Sequence, residues 1–281
     1  MELKDKEIYR RFMPWIGECL TSDVNFAMTW LEDICGRAEF IDCGDFLLTI
    51  TDYNGQRVFY PPILKDKKFF GAAVEAMLER ARIEGVPLDI RGLGEEFVPM
   101  LPPDLVVIND RGDSEYIYFA QDLINLSGKK FHSKRNFVRR FRELFPNYEF
   151  RAYRDSDFDV VMQMCGQWTL EFEYQMVERA LRNWRALDLK IMVLFIGADL
   201  VGFSINNMES DLVAHTFFEK ADRNYIGAYQ ALNNFTARAL FGNVKYVNRQ
   251  SDLNVEGMRK AKLSYNPVFL VDRYRVLSNQ F

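Results

Sequence analysis

Polar and ionisable side chains are concentrated in one segment near the C-terminus, between a predicted strand over Tyr246–Arg249 and a predicted helix over Val255–Ser264. Proteins with α/β sheets usually bind ligands at the carboxyl ends of their strands. Five side chains of the segment are therefore candidate substrate contacts: Asn248, Arg249, Asp252, Arg259 and Lys262. The structural alternative is that Asp252 or Asn254 caps the helix and that Arg249 pairs with Glu256.

A second group of candidate residues surrounds the end of a predicted strand over Leu212–Glu219. Side chains alternate along a strand, so His215 and Glu219 point to the same side. Glu219 is the candidate general base, whereas His215 is either a substrate contact or a histidine satisfied within the sheet. The next turn leads into a helix with small residues in its first turn, and the N–H groups there suit an anion. Three residues of this turn are candidate phosphate contacts, the alternative being an ordinary turn: Arg223, Gly227 and Ala228.

The strongest local charge feature is a basic segment over Ser127–Arg142, in a chain whose net charge is −4. A helix here is predicted to begin at a Ser133 cap and to present a cationic ridge. Lys134, Arg135 and Arg139 of this ridge are predicted to bind phosphates of a tRNA, a nucleotide-bearing cofactor or a lipid head group. The apolar face is predicted to consist of Phe137, Val138, Phe141, Leu144 and Phe145. The alternative is a solvated helix that links two domains.

The secondary-structure elements that would position these residues occur in a similar order twice along the chain. The first copy comprises a hairpin over Asp45–Pro61 that turns at Asn54-Gly55, a helix over Phe69–Glu84, a strand over Leu88–Arg91, a short helix over Glu95–Leu101, and a strand or hairpin over Leu105–Phe119. The second comprises a hairpin over Ile191–Met208, the strand over Leu212–Glu219, a helix over Ile226–Phe241, the strand and helix on either side of the polar segment, and a strand over Val268–Val276. The repetition predicts an α/β fold with mixed α+β sheets, built by tandem duplication. We expect an N-terminal unit over 1–122 and a C-terminal unit over 123–281 that carries the site.

Composition excludes several classes of protein. Apolar residues make up 48% and aromatic residues 15% of the 281 positions, which suffices for two cores and differs from a disordered chain. No apolar stretch approaches the roughly 18 residues of a membrane span, and the N-terminus carries no apolar signal region. We therefore expect a soluble, cytoplasmic protein. The cysteines and histidines lack the spacing of a zinc site, so we expect no metal and no disulfide framework.

Several stretches of the chain resemble one family. They are Gly128–Asn136, Asn147–Phe150, Glu219–Asp222 and, as the most specific, Asn248–Pro267. They resemble the soluble proteins related to the C-terminal domain of phosphatidylglycerol lysyltransferase, and the likeness covers most of the chain. The resemblance implies a tandem of two N-acetyltransferase-like (GNAT) units. It also extends to the aminoacyl-tRNA-dependent transferases that build peptidoglycan cross-bridges.

The resemblance implies transfer of an acyl or aminoacyl group to an amine or hydroxyl acceptor. The donor would be aminoacyl-tRNA or acyl-CoA, and the implied partners are tRNA, an anionic lipid or an amine-bearing small molecule. The stretch Arg223–Ala228 resembles the loop that grips the pyrophosphate of coenzyme A, with one inserted residue. Lys260 stands where many acetyltransferases place an acidic tyrosine, and Lys262 matches a basic residue that cross-bridge transferases use near substrate phosphate or carboxylate. These features favour aminoacyl transfer; the alternative is a catalytically inactive GNAT-like module that binds RNA or an anionic head group.

Overall fold

The computed structural model describes residues 1–17, 19–53, 55–166, 171–208 and 210–278. Its helices are α1 (Lys6–Phe12), α2 (Phe26–Glu32), α3 (Phe70–Glu84), α4 (Ala120–Asn125), α5 (His132–Leu144), α6 (Phe158–Gly166), α7 (Glu171–Asn183), α8 (Ala228–Leu240) and α9 (Glu256–Leu263). Its strands are β1 (Glu39–Asp42), β2 (Phe46–Tyr53), β3 (Gln56–Phe59), β4 (Ile63–Leu64), β5 (Asp89–Leu93), β6 (Leu105–Asn109), β7 (Glu115–Phe119), β8 (Tyr148–Ala152), β9 (Lys190–Ile196), β10 (Asp199–Asn207), β11 (Val213–Ala221), β12 (Tyr246–Asn248), β13 (Phe269–Val271) and β14 (Tyr274–Ser278).

The chain forms two compact units, and neither is continuous in sequence. The first comprises Met1–Glu115, Ser251–Glu256 and Leu270–Phe281, and the second comprises Tyr116–Gln250 and Gly257–Phe269. No helix in the described part of the chain is both long enough and apolar enough to cross a bilayer.

The first unit contains a sheet with the strand order β1-β2-β3-β5-β14-β6, and β4 pairs with β2. Strands β2 and β3 form the predicted antiparallel hairpin, with Gly55 at a positive φ of 78°; Asn54 lies outside the described residues. Helix α3 follows and ends at Gly85 in the left-handed conformation, as the sequence predicts. It buries Val74 and Met77 in the core against the sheet, and the chain then returns as β5, parallel to β3.

The second unit contains a sheet with the strand order β13-β7-β12-β11-β10-β9-β8. Strands β9, β10 and β11 are antiparallel, and the β9–β10 hairpin was expected from the sequence. Helix α8 then leads to β12, which lies parallel to β11. Each unit therefore has the same connection: an antiparallel strand pair, then a helix, then a strand parallel to the second strand of the pair. The predicted mixed α/β architecture is confirmed.

Two predicted strand regions divide between the two sheets, which the sequence did not indicate. The stretch Leu105–Phe119 gives β6, which pairs with β14 in one sheet, and β7, which pairs with β12 in the other. It is therefore not a hairpin. Val268–Val276 likewise gives β13 and β14 in different sheets. The compact units consequently differ from the division expected after residue 122, because β14 pairs with β5 and β6 of the first unit.

Candidate active site

The centre of the candidate site in the second unit is an ion pair between Glu219 and Arg249. Glu219 lies near the end of β11 and Arg249 directly follows β12, so the parallel pairing of these strands brings them together. Arg249 Nη2 donates to Glu219 Oε1 at 2.7 Å, and the two side chains are only 12% and 10% exposed. Asn233 of α8 donates from Nδ2 to the other carboxylate oxygen at 2.9 Å. The partner that the sequence suggested for Arg249, Glu256, is not the partner in this pair.

Two buried tyrosines enclose the guanidinium group. The Arg249 Cζ atom lies 4.7 Å from the ring centroid of Tyr265 and 5.6 Å from that of Tyr118. Burial raises the pKa of both phenols, so they are neutral at physiological pH. A guanidinium held over aromatic rings keeps its planar face packed while its N–H edge remains available for hydrogen bonds.

Lys134 brings a further cation to the same place from α5. Its Nζ lies 4.1 Å from the centroid of Tyr265 and donates to Ser264 Oγ at 2.6 Å. Partial burial, with the nearby positive charge of Arg249, lowers the pKa of Lys134 to about 8. The sequence assigned Lys134 to an outward-facing ridge, whereas the structure turns it toward the Glu219–Arg249 pair. We call these residues the Arg249 cluster: Lys134, Glu219, Asn233, Arg249, Ser264, Tyr118 and Tyr265.

Lys262, a predicted substrate contact, fixes the backbone beside Arg249. Its Nζ donates to the carbonyl oxygens of Arg249 and Gln250 at 2.5 and 2.9 Å. Tyr118 in turn donates its hydroxyl hydrogen to the Lys262 carbonyl oxygen at 2.9 Å. These bonds tie α9 to the end of β12 and hold the Arg249 backbone in place. Arg259, on the same helix, is partly exposed.

The predicted anion-binding turn is packed against α5. Gly227 has a φ of 86°, and a Cβ placed on it would lie 2.5 Å from the Phe137 carbonyl oxygen. The Ala228 N–H donates to the Tyr225 carbonyl oxygen at 3.0 Å, so this amide is already engaged. Arg223 is exposed. The close approach of α5 therefore explains why glycine occupies position 227, and no bound ligand is needed to account for it.

The remaining predicted substrate contacts are buried within their units. His215 of β11 lies opposite Asn248 of β12 in the sheet register. The Asn248 Oδ1 atom accepts from the Gln250 N–H at 2.7 Å. Asp252 belongs to the first unit, where its carboxylate accepts from Arg111 Nη1 at 3.3 Å and from the Asn254 N–H at 2.9 Å. The structure thus brings Glu219, Arg249 and Lys262 together and gives Asp252 separate contacts.

Helix α5 differs in detail from the predicted basic ridge. The helix begins at His132 after a 3₁₀ turn, so Ser133 lies within the helix and does not cap it. Arg135 donates to the carbonyl oxygens of Leu126 and Gly128, whereas Arg139 is 71% exposed. On the predicted apolar face, Val138 and Phe141 are buried but Phe137 and Leu144 are exposed.

Comparisons with known proteins identify the family and the fold of the chain. The sequence profile of the family described as "Phosphatidylglycerol lysyltransferase, C-terminal" matches residues 24–277. The chain belongs to this family. A conserved protein of unknown function from Bacteroides thetaiotaomicron has a similar structure, with a TM-score of 0.90, 26% identity and coverage of 99% of this chain and 98% of that one.

Two further solved structures share the fold. The C-terminal domain of a putative lysylphosphatidylglycerol synthetase from Agrobacterium fabrum gives a TM-score of 0.71 at 14% identity, covering 98% of this chain and 93% of that one. A tandem GNAT protein from the clavulanic acid biosynthesis pathway gives a TM-score of 0.56 at 10% identity, covering 100% and 98%. The fold of this family member is therefore that of a tandem GNAT protein, as the resemblance implied.

A buried ionic cluster in the first unit was not identified from the sequence. Arg273 donates from Nη2 to Asp23 Oδ1 and lies 3.5 Å from Glu115 Oε1. The side chains of Asp23 and Glu115 are 2% and 0% exposed. The Ser22 hydroxyl also donates to Glu115, at 2.6 Å. Asp23 lies just before α2, whose cap is Asn25, the side chain of which accepts from the Met28 N–H.

The titration of Asp23 should make the stability of the first unit depend on pH. Burial raises the pKa of Asp23 to about 7; Glu115 adds to this effect and Arg273 opposes it. An unfolded aspartate titrates near 3.9, so the native state holds this proton more tightly. The resulting stability is full below pH 4 and is lost as the pH rises through about 7. We expect the melting temperature of wild type to fall relative to that of Asp23→Asn between pH 5 and pH 8. A difference that does not change with pH would contradict the assignment.

Proposed function

We propose that this protein transfers an acyl or aminoacyl group to an amine or hydroxyl acceptor, and that the reaction takes place at the Arg249 cluster. The observation that carries the proposal is the buried Glu219–Arg249 pair, which combines a proton acceptor and a cationic hydrogen-bond donor in one place. Family membership supports a transferase function. The tandem GNAT fold supports acyl-group chemistry.

The side chains of the cluster can supply what such a transfer needs. The acceptor nitrogen or oxygen attacks the donor carbonyl, and its proton passes to Glu219, whose carboxylate oxygens each keep a lone pair beyond the bonds described. The bond between the donor carbonyl carbon and the tRNA ribose oxygen, or the sulfur of coenzyme A, then breaks, and the leaving oxygen or sulfur takes up the proton from Glu219. Arg249 Nη1 is buried without a hydrogen-bond partner among the described residues, so it can donate to developing negative charge. Lys262 would act by positioning, because it fixes the Arg249 backbone.

The contacts of the turn before α8 favour an aminoacyl donor over acyl-CoA. A pyrophosphate grip requires open N–H groups at the helix N-terminus. The Ala228 N–H already donates to the Tyr225 carbonyl oxygen, and the backbone of α5 packs closely against Gly227. We therefore place aminoacyl-tRNA first among donors and keep acyl-CoA as the comparison. The proposed setting is the cytoplasm, with an amine-bearing small molecule or an anionic lipid as acceptor.

A transfer assay tests the proposal. The purified chain is incubated with a mixture of aminoacyl-tRNAs, or separately with acyl-CoAs, together with phosphatidylglycerol vesicles and a pool of small amines. Mass spectrometry then detects an acceptor that has gained an acyl or aminoacyl mass. Product from the tRNA arm is the expected result. Absence of product in both arms, with folded protein, would contradict the proposal.

The second candidate function is a non-catalytic module that binds RNA or an anionic head group through α5. It is favoured by the exposed cations of that helix, since Arg139 and Arg140 both face solvent. Binding of this kind weakens steeply as salt rises, because counterions are released on binding. A tRNA affinity that is independent of salt concentration would exclude it.

A further inference from the structure

We propose that Asn233 determines which acceptor the site takes, and that Asn233 and Glu219 together bind a primary amine in preference to a hydroxyl group. The proposal rests on the proposed function, because it concerns the acceptor of that reaction. It adds a specificity-determining residue from the middle of α8, which no motif in the sequence indicated.

The orientation of the Asn233 side-chain amide is fixed by Glu219. Asn233 is only 2% exposed, and its Nδ2 atom donates to Glu219 Oε2 at 2.9 Å. An ionised carboxylate can only accept hydrogen bonds, so the amide nitrogen must face it and the amide oxygen must point elsewhere. That oxygen, Oδ1, is buried and accepts no hydrogen bond from any residue that the structure describes. Buried acceptors in native proteins are generally satisfied, so Oδ1 requires a donor from a bound molecule.

The hydroxyl groups near this amide are engaged with one another. Ser204 lies opposite Glu219 in the register of β10 and β11, and Thr236 lies one turn after Asn233 on α8. Ser204 Oγ and Thr236 Oγ1 share a hydrogen bond of 3.0 Å, and Asn206 Nδ2 donates to Ser204 Oγ at 3.1 Å. The free acceptor on Asn233 is therefore not part of this buried network.

One ligand atom can reach both Glu219 and Asn233. The oxygen and nitrogen of a side-chain amide lie about 2.3 Å apart. Because Asn233 Nδ2 lies 2.9 Å from Glu219 Oε2, the distance from Asn233 Oδ1 to Glu219 Oε2 is at most about 5.2 Å. Two hydrogen bonds of about 2.9 Å from one donor atom span up to about 5.8 Å. Arg249 contacts the other carboxylate oxygen, Oε1, and so does not compete for this position.

The number of acceptors favours an amine. A neutral primary amine carries two hydrogens and one lone pair, so it can donate to Glu219 Oε2 and to Asn233 Oδ1 and still attack the donor carbonyl. The bond from nitrogen to the carbonyl carbon forms, the bond to the leaving oxygen or sulfur breaks, and one hydrogen passes through Glu219 to that leaving atom. The second hydrogen stays on the nitrogen of the product and keeps its bond to Asn233. A hydroxyl group has a single hydrogen, so it leaves one of the two acceptors unpaired.

NMR titration of the full chain measures the acceptor site without any transfer reaction. The probes are ethanolamine and ethylene glycol, which have the same length and differ in one terminal group. Saturable shifts of the backbone amide signals of β11 and α8 give the dissociation constants. Ethanolamine carries a positive charge, so the comparison between variants isolates the effect of Asn233. We expect Asn233→Leu to weaken ethanolamine binding about tenfold and to leave ethylene glycol binding unchanged.

Asn234→Leu is the matched control. Asn234 is the next residue on α8 and is equally buried, but its Nδ2 donates to the carbonyl oxygens of Leu123 and Ile124 at 2.7 and 2.9 Å. This variant should bind both probes as wild type does. If Asn233→Leu does not fold, Asn233→Ser keeps a shorter polar group on α8 and should show the same loss of affinity. Equal affinity of wild type and the Asn233 variant for ethanolamine, or binding of neither probe, means that water alone satisfies Oδ1 and overturns the proposal.

The transfer reaction separates this proposal from the proposed function. If ethanolamine binds through Asn233 but no donor yields product, the amine site stands and the transferase proposal fails. Where transfer occurs, kcat/KM is measured for an amine and for the matching alcohol, and their intrinsic reactivities cancel when the ratio is compared between variants. Asn233→Leu should lower this ratio about tenfold or more. An unchanged ratio overturns the preference for an amine and leaves the transferase proposal intact.

Discussion

Replacing Arg273 by methionine is expected to destabilise the protein by about 3–5 kcal/mol, because it leaves the Asp23 and Glu115 carboxylates buried without their cation. Methionine retains much of the apolar volume of the arginine stem, so the lost charge dominates the effect. Urea denaturation at pH 8 measures the loss, and hydrogen exchange should show faster exchange in the first unit. The loss should be smaller at pH 5.5, where Asp23 is protonated and one uncompensated charge disappears.

Arg82→Met provides the control for this experiment. Arg82 pairs with Glu79 at 2.7 Å on the exposed face of α3, and solvent screens such a pair. We expect no measurable change in the free energy of unfolding for this variant. A loss for Arg273→Met that is as small as that of the control, or that is the same at both pH values, would show that the buried cluster is not held by charge.

The elements that could be predicted from the sequence are those specified by local patterns. Helix α3 was predicted because its apolar residues recur at helical spacing and a glycine follows its last turn. The β2–β3 and β9–β10 hairpins were predicted because glycine lies between apolar runs. What could not be predicted was the sheet that each strand joins. The short turn between β6 and β7 looks like a hairpin turn, yet the two strands pair in different sheets.

The same limit applies to the sites. Glu219 and Arg249 could be chosen separately, since each lies at the end of a predicted strand, but their pairing depends on the parallel register of β11 and β12. Tyr118 and Tyr265 could not be recognised as site residues, because aromatic residues in such positions usually belong to a core. The partners Asp23 and Arg273 come from opposite ends of the chain. Periodicity describes neighbours along the sequence, and a contact of this separation leaves no periodic pattern.

Glu219→Gln is expected to lower the rate of the proposed transfer by about 10²–10⁴-fold while the protein stays folded. Glutamine has nearly the same shape and its amide oxygen can still accept from Arg249 or Asn233, but it cannot take the acceptor's proton. Steady-state kinetics over pH 5–9 measure the effect. If Glu219 is the base, kcat should fall with little change in KM, and the acidic limb of the wild-type profile should disappear.

A purely positioning role for Glu219 would give a different pattern. If Glu219 only orients Arg249, its replacement should act through substrate binding, raise KM and keep the acidic limb, and Arg249→Lys should reproduce the change. Glu178→Gln is the control, since Glu178 pairs with Arg182 on the exposed face of α7 and should leave the kinetics unchanged. If Glu219→Gln turns over as fast as wild type, Glu219 is not the general base.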